Sequence, residues 1–422
     1  MNKKTYEMLG ETLYTEKLNN GLHIYAIPKP KFEKKYAFFA TNYGGADRRF
    51  QLGGKWHDTP AGIAHFLEHK LFDTKDGNAL ADLAAGGAQP NAFTSAEMTG
   101  YYFECAQSFE QNLKTLLDFV SIPYFTEESV QKEQGIIGQE IGMYEDHPEF
   151  ELYYNLLRCL YSVHPVRDMI LGTVESIAEI KAQTLYDLHR AFYRPSNMVL
   201  CVAGDIDPKR VLEIAKERLP GEWEEVPKKD YGPPDETPVQ KARTEAFMTV
   251  SQPMLLAGTR VAAGERGEAY LKAELTGNFA IRYLAGTSSP LYVRLYSDGL
   301  ILSDFSSSFS RGQSHAFTAF GGESRDPDRV LEEIQAEVLH TLKTGIDAPR
   351  FTRLKKAISG KLIRGLDSPE NLCIEQADAH FHGANALDRL AVLQDITPED
   401  LLAFIRENLM PEQFALSIVR PK

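Results

Sequence analysis

The stretch Lys132–Glu149, KEQGIIGQEIGMYEDHPE, has a partner later in the chain, Arg353–Glu370, RLKKAISGKLIRGLDSPE. The two align without a gap at an offset of 221. Apolar residues coincide at Ile136/Ala357, Ile137/Ile358 and Ile141/Leu362, and both segments close on Pro-Glu. A second pair follows in the same order. Leu185–Val202 and Leu401–Ile418 share Leu185/Leu401, Arg190/Arg406, Pro195/Pro411 and Leu200/Leu416. Each reads as a helix, a proline-marked turn and an apolar strand. Two matches in one order at nearly one offset predict an internal duplication.

Between the copies lies Pro220–Arg243, with five prolines, many charges and few core residues. That is the composition of a semi-rigid, exposed linker. The expected division is a domain over residues 1–219, a linker over 220–243 and a homologous domain over 244–422. A chain of 422 residues with 43% hydrophobic and 25% charged residues suits two globular domains. Each half reads as α+β. Asn20-Gly21 is a hairpin signal, and Leu22, Ile24 and Ala26 alternate after it. KKYAFFATNYGG, NAFTSAEMTGYYFECA and NMVLCVAGD read as further strands, separated by helices at Asn78–Ala85, Glu110–Ile122 and Glu127–Tyr144. The predicted fold is two αβ rolls, each a mostly antiparallel sheet with helices packed on one face.

The net charge of −13 argues against nucleic acid as a partner, because phosphate binding needs a basic face. Four scattered cysteines without a CxxC pair read as buried thiols in a reducing compartment. The N-terminus has no apolar stretch behind its lysines, and no run approaches the ~18 apolar residues of a membrane span. A cytoplasmic location is expected.

The chemistry concentrates in Ala64–Phe72, AHFLEHKLF. On a helix, residues four apart share a face, so His65 and His69 can aim both imidazoles at one point. Glu68 sits on the same side. Zinc takes imidazole nitrogen, and a catalytic zinc uses three protein ligands plus a water. A carboxylate beside that water, but off the metal, can take its proton. The alternative is an ordinary amphipathic helix with two satisfied histidines, which the embedded glutamate disfavours. The pattern is the H-x-x-E-H of inverzincins. Thr59-Pro60 marks the expected helix start.

A third ligand is expected from Glu127–Tyr144. Glu133 and Glu140 are seven residues apart and share a face bordering Ile136, Ile137 and Ile141. A carboxylate near a core needs a partner. Glu133 aligns with Leu354 and Glu140 with Lys361, and the second half has no HxxEH. Only the first half can hold the metal.

These residues resemble the insulinase/pitrilysin-type zinc metallopeptidases, which include the mitochondrial processing peptidase, and most nearly their bacterial two-domain YmfH-like members. The resemblance covers nearly the whole chain. It rests on His65-x-x-Glu68-His69, on Glu140 lying 71 residues after His69, and on Glu133. It rests also on NAFTSAEMTGYYF, HPVRDMILGTVESI and FYRPSNMVLCVAGD. It implies that His65, His69 and Glu140 bind zinc, that Glu68 is the general base, and that Glu133 orients a ligand histidine. It implies that Asn91, Ala92, Phe93 and Thr94 lie on an edge strand that pairs with extended substrate, as strand addition to a sheet edge allows. Arg294 fits an arginine that assists substrate and transition-state binding from the second half. Seven residues on, where the family has a tyrosine, stands Ile301.

The function expected is a zinc endopeptidase acting on peptides or short unfolded segments in a chamber. Because the second half of the site is incomplete, the expected partner is a related chain without HxxEH, in a heterodimer. A homodimer is the other possibility. The competing reading is a binding subunit that keeps the fold without turnover. N/O ligands also accept manganese or cobalt. A purely structural zinc is disfavoured, since such sites are usually closed by four protein ligands.

Overall fold

The apolar run NMVLCVAG becomes strand Met198–Gly204, buried at every position. A strand with no polar face belongs inside a sheet covered on both sides. In this computed structural model, which describes residues 1–235 and 237–422, it lies there. It pairs parallel with His23–Pro28 and antiparallel with Lys35–Thr41. The sheet has seven strands, in the order Asn2–Tyr6, Glu11–Lys17, His23–Pro28, Met198–Gly204, Lys35–Thr41, Thr99–Cys105, Ala88–Thr94. Ala88–Thr94 is thus an edge.

The expected strand over Asn91–Ala106 is two strands. Ser95–Met98 turns between them, with the Ser95 N–H donating to the Met98 carbonyl at 2.8 Å. Ala88–Thr94 and Thr99–Cys105 form an antiparallel hairpin. Gly100 sits in it against the Phe38 ring, where a Cβ would come within 2.2 Å of Phe38 Cζ.

The second sheet repeats the first. Ala415–Pro421 pairs parallel with Arg243–Met248 and antiparallel with Met254–Gly258. Met254–Gly258 pairs antiparallel with Ala316–Glu323, which pairs in turn with Ser306–Arg311. Order and directions match those from His23–Pro28 to Ala88–Thr94. The fold is α+β, two homologous sheet-and-helix rolls, as the duplication predicts.

The compact units are discontinuous in sequence. One comprises Met1–Ile141, Met169–Tyr231 and Ile363–Leu387, the other Gly142–Asp168, Gly232–Leu362 and Asp388–Lys422. The reason is an exchange of helices. Helix Pro369–Phe381 covers one face of the first sheet, packing Leu372, Cys373, Ala377 and Phe381 on Phe38, Ala40, Val199 and Cys201. Burying a side chain such as Leu372 or Phe381 stabilises by about 1.5–3 kcal/mol. The alternate residues Phe39, Leu200 and Val202 are buried as well, so both faces are covered. Helices Phe109–Ser121 and Pro208–Arg218 pack on each other and on strands of this sheet. Helix Pro148–Leu160, the copy of Pro369–Phe381, packs instead on Ala415–Pro421 and Met254–Gly258.

Part of the segment read as an exposed linker is tied down. Lys228–Asp230 pairs with Arg49–Leu52. Lys229 Nζ lies 2.8 Å from the fully buried Asp47 carboxylate, to which the Tyr231 hydroxyl also donates at 2.8 Å. The four cysteines are free and buried. No described helix is long and apolar enough to cross a membrane.

Candidate metal centre

The histidine helix runs Ile63–Leu71 and begins at Gly62 rather than at Thr59-Pro60. Gly62 has φ of 90°, and a Cβ there would lie 2.3 Å from the Leu171 carbonyl oxygen. Only glycine meets both demands. Ile63, Phe66, Leu67 and Leu71 are buried and anchor the helix. His65 and Glu68 are buried with them, and His69 is partly open.

Helix Glu127–Glu145 supplies the carboxylates. Its buried residues are Val130, Ile137 and Ile141. Ile136, expected beside the buried side, is 46% exposed. Glu140 Oε1 lies 3.9 Å from His65 Nε2, and Glu140 Oε2 lies 3.9 Å from His69 Nε2. These separations are too long for hydrogen bonds. One ligand atom from each of His65, His69 and Glu140 lies within 4.8 Å of the others, and among the described residues no other cluster of this kind occurs. His69 Nδ1–H donates to Glu133 Oε1 at 3.0 Å. That bond fixes the tautomer and turns the Nε2 lone pair toward His65 and Glu140. His65 Nδ1 is buried without a partner.

The donor set fits a divalent cation. Two imidazoles and one carboxylate are zinc ligands, and three of them leave a position open. Burial, then the neighbouring His69, pushes His65 down to about 3, so its ring is neutral at neutral pH, with one nitrogen lone pair available. Burial opposes charge on His69, but the Glu133 hydrogen bond and the carboxylates of Glu68, Glu133 and Glu140 raise it. Burial would raise Glu133, and the His69 hydrogen bond and charge, with Lys70, bring it below the ordinary range. Three carboxylates around two imidazoles therefore attract positive charge.

Glu68 stands outside the ligand set. Burial raises its carboxyl pKa, the Thr94 hydrogen bond and His69 oppose this, and Glu140 adds to it. The Thr94 hydroxyl donates to Glu68 Oε2. Thr94 ends the edge strand Ala88–Thr94, beside which the histidine helix packs, so Asn91, Ala92 and Phe93 run out from Glu68 along that edge. Phe93 stacks on Phe38 with ring centroids 5.7 Å apart. Arg294 belongs to the other unit, where it pairs with Glu333 at 3.2 Å and Glu337 at 3.5 Å. Ile301 is buried at 1% exposure.

Sequence reasoning missed two contributors. Lys70, only 2% exposed, pairs with Asp73 and sits 3.7 Å from Glu133 Oε2. A lysine next to the motif on an otherwise buried helix was the available signal. Thr94, expected on the substrate edge, also donates its hydroxyl to Glu68. Nothing in NAFTS announces that bond.

Comparison with known proteins gives one direction. The family profile described as Insulinase (Peptidase family M16) matches residues 53–174, and the profile described as Peptidase M16 inactive domain matches residues 179–358. The protein described as uncharacterized zinc protease YmfH of Bacillus subtilis is 39% identical over 99% of this chain and 98% of its own. A second described zinc protease of that organism, YmxG, is 29% identical over 87% of this chain and 91% of its own. The crystal structure of an M16-like peptidase from Alicyclobacillus acidocaldarius superposes with a TM-score of 0.93 at 35% identity, covering 98% of this chain and 99% of that one.

Proposed function

The chain belongs to the insulinase family of peptidases, M16, and from that premise we propose that it is a zinc-dependent endopeptidase acting on peptides or short unfolded segments. The observation that carries this reading is the convergence of His65, His69 and Glu140 beside a Glu68 that is no part of the cluster. A bound zinc ion supplies Lewis acidity, polarising a scissile carbonyl and lowering the pKa of a water. The chain's own residues do the rest. The backbone of Asn91–Phe93 pairs with an extended substrate as an added strand. The Glu68 carboxylate takes a proton from the attacking water as the C–O bond forms, then hands it to the amine nitrogen as the C–N bond breaks. Its raised pKa suits a group that both takes and returns a proton. The Thr94 hydroxyl holds Glu68 Oε2. Glu133 holds the His69 ring.

Two observations favour a partner-dependent form of this activity. Arg294 is engaged by Glu333 and Glu337, and a buried Ile301 stands where the family's tyrosine is expected. A related chain without HxxEH would complete the site as the second member of a heterodimer. The four free, buried thiols fit a cytoplasmic location.

The test pairs metal analysis with activity. Zinc bound to the purified chain is quantified, and quenched fluorescent peptides are assayed with wild type and Glu68→Gln, alone and with a candidate partner. The expected result is one zinc per chain, with cleavage reduced by about 10²–10⁴-fold in Glu68→Gln. A chain that cleaves nothing with zinc and partner supplied overturns the reading in favour of a binding subunit.

A further inference from the structure

Helix Ala348–Gly365 carries six basic residues and no acidic one, in a chain of net charge −13. Two of the six serve the fold. Arg350 donates to the Tyr283 carbonyl and stacks 4.0 Å from the centroid of the Tyr283 ring. Lys355 donates to the carbonyls of Gln394 and Ile396 at 2.6 and 2.9 Å. The other four, Arg353, Lys356, Lys361 and Arg364, are exposed and have no hydrogen-bond or ion-pair partner among the described residues.

These four share one face. They lie three, eight and eleven residues on from Arg353, which at α-helical pitch is an arc about 140° wide and roughly 16 Å long. Gly360 lies in the middle of the arc, and a Cβ there would meet nothing within 4 Å. Phe351 is the helix's single buried residue. Four like charges on one face repel each other and add nothing to folding. Surfaces ordinarily mix the two signs. A concentrated stripe on an acidic chain calls for a ligand of opposite sign.

Charge complementarity says which ligand: four exposed cations on one face fit an acidic partner. Lys361, at one edge of the stripe, occupies the position of Glu140, and Arg353, Lys356 and Arg364 occupy those of the exposed Lys132, Gly135 and Met143. We infer that Arg353, Lys356, Lys361 and Arg364 form a docking stripe for an acidic segment of the peptide substrate. About five residues of extended chain match its length. The inference rests on the peptidase reading for calling that peptide a substrate.

The test uses the full chain carrying Glu68→Gln, so that bound peptide is not consumed. Fluorescein-labelled peptides of equal length, rich in Glu, Gln or Lys, are titrated by anisotropy at low and high salt. The Glu peptide is expected to bind about tenfold or more tighter than the Gln peptide at low salt, as several exposed ion pairs together supply. High salt shrinks that ratio, and Arg353→Gln/Lys356→Gln/Lys361→Gln/Arg364→Gln brings it near one. If that variant does not fold, Lys356→Gln/Lys361→Gln and the salt series decide. No preference for Glu at low salt, a preference untouched by the variants, or tighter binding of an oligonucleotide of equal charge overturns the stripe. So does loss of self-association in the variant when wild type shows no peptide preference. Cleavage by wild type without acid preference sinks the stripe alone. Acid-selective binding without cleavage under any condition supports the stripe and sinks the peptidase reading.

Discussion

Helix Glu127–Glu145 and helix Ala348–Gly365 are two readings of one pattern. Glu140 in the first aligns with Lys361 in the second, and Glu133 with Leu354. The first points carboxylates at two imidazoles, and the second presents exposed cations. Neither gives much to a core: three residues are buried on one and a single residue on the other. Where the fold asks so little of a helix, its open face is free to change sign. The shared architecture is thus a scaffold, and the chemistry belongs to the residues placed on it.

The strongest way to break this contrast is to write the second helix's residue into the first. Glu140→Lys is expected to empty the site of zinc and to lower cleavage by at least about a thousandfold. Metal analysis together with the peptide assay checks this. Zinc-dependent activity surviving in Glu140→Lys would mean that Glu140 is no ligand. The neighbouring position should respond more gently. Glu133→Gln is expected to weaken zinc affinity by about 10–100-fold, because the His69 ring loses its charged acceptor. Competition against a chelator measures it. Leu354→Gln in the copy should leave zinc affinity unchanged.

The first unit also carries a group that responds to acid. Burial pushes His189 down to about 4, against the carbonyl of Val120 that accepts its Nε2–H at 2.8 Å. Between that value and the ordinary 6.5 the unfolded chain binds a proton that the folded chain refuses. Stability from His189 is therefore complete above 6.5 and lost as pH falls toward 4. Denaturant unfolding should show roughly 2 kcal/mol less stability at pH 5 than at pH 7 from this residue. His189→Gln, which keeps a donor for Val120, should remove that part of the slope. An unchanged slope would mean that His189 titrates normally.

The smallest expected effect returns to the glutamate helix. Gly135, Gly138 and Gly142 lie on it with nothing within 4 Å of a Cβ. Gly138→Ala should raise stability by about 0.4–1 kcal/mol through the unfolded chain. A thermal melt reads the gain. Should kcat fall while stability rises, the glycines serve motion at the site.

The duplication, the two histidines of the candidate metal centre and the two glutamates were legible because each depends on spacing along one helix or on a repeat offset. The shift of the helix start to Ile63 was not, because it depends on the Leu171 carbonyl more than a hundred residues away. Ile136 reads as buried from its type, yet the helix has little core to offer it. The anchoring of Lys229 and Tyr231 by buried Asp47 is likewise a long-range event, invisible in a segment whose prolines and charges read as linker. The Thr94–Glu68 hydrogen bond was illegible for the same reason: it depends on what the fold places beside Thr94, not on the character of NAFTS.

The exchange of Pro148–Leu160 and Pro369–Phe381 bears on how the chain is born. Synthesis runs from the N-terminus, so Phe38, Val199 and Cys201 are finished long before the helix that covers them. Pro369 follows Gly204 by about 165 residues, and at about 5–20 residues per second that is roughly ten to thirty seconds on the ribosome. For that interval one face of an apolar sheet is bare, and a neighbouring nascent chain offers the same helix in trans. Slow, crowded translation should therefore favour intertwined dimers and a need for chaperones, whereas a break in the linker of the finished protein should leave its two fragments clasped together.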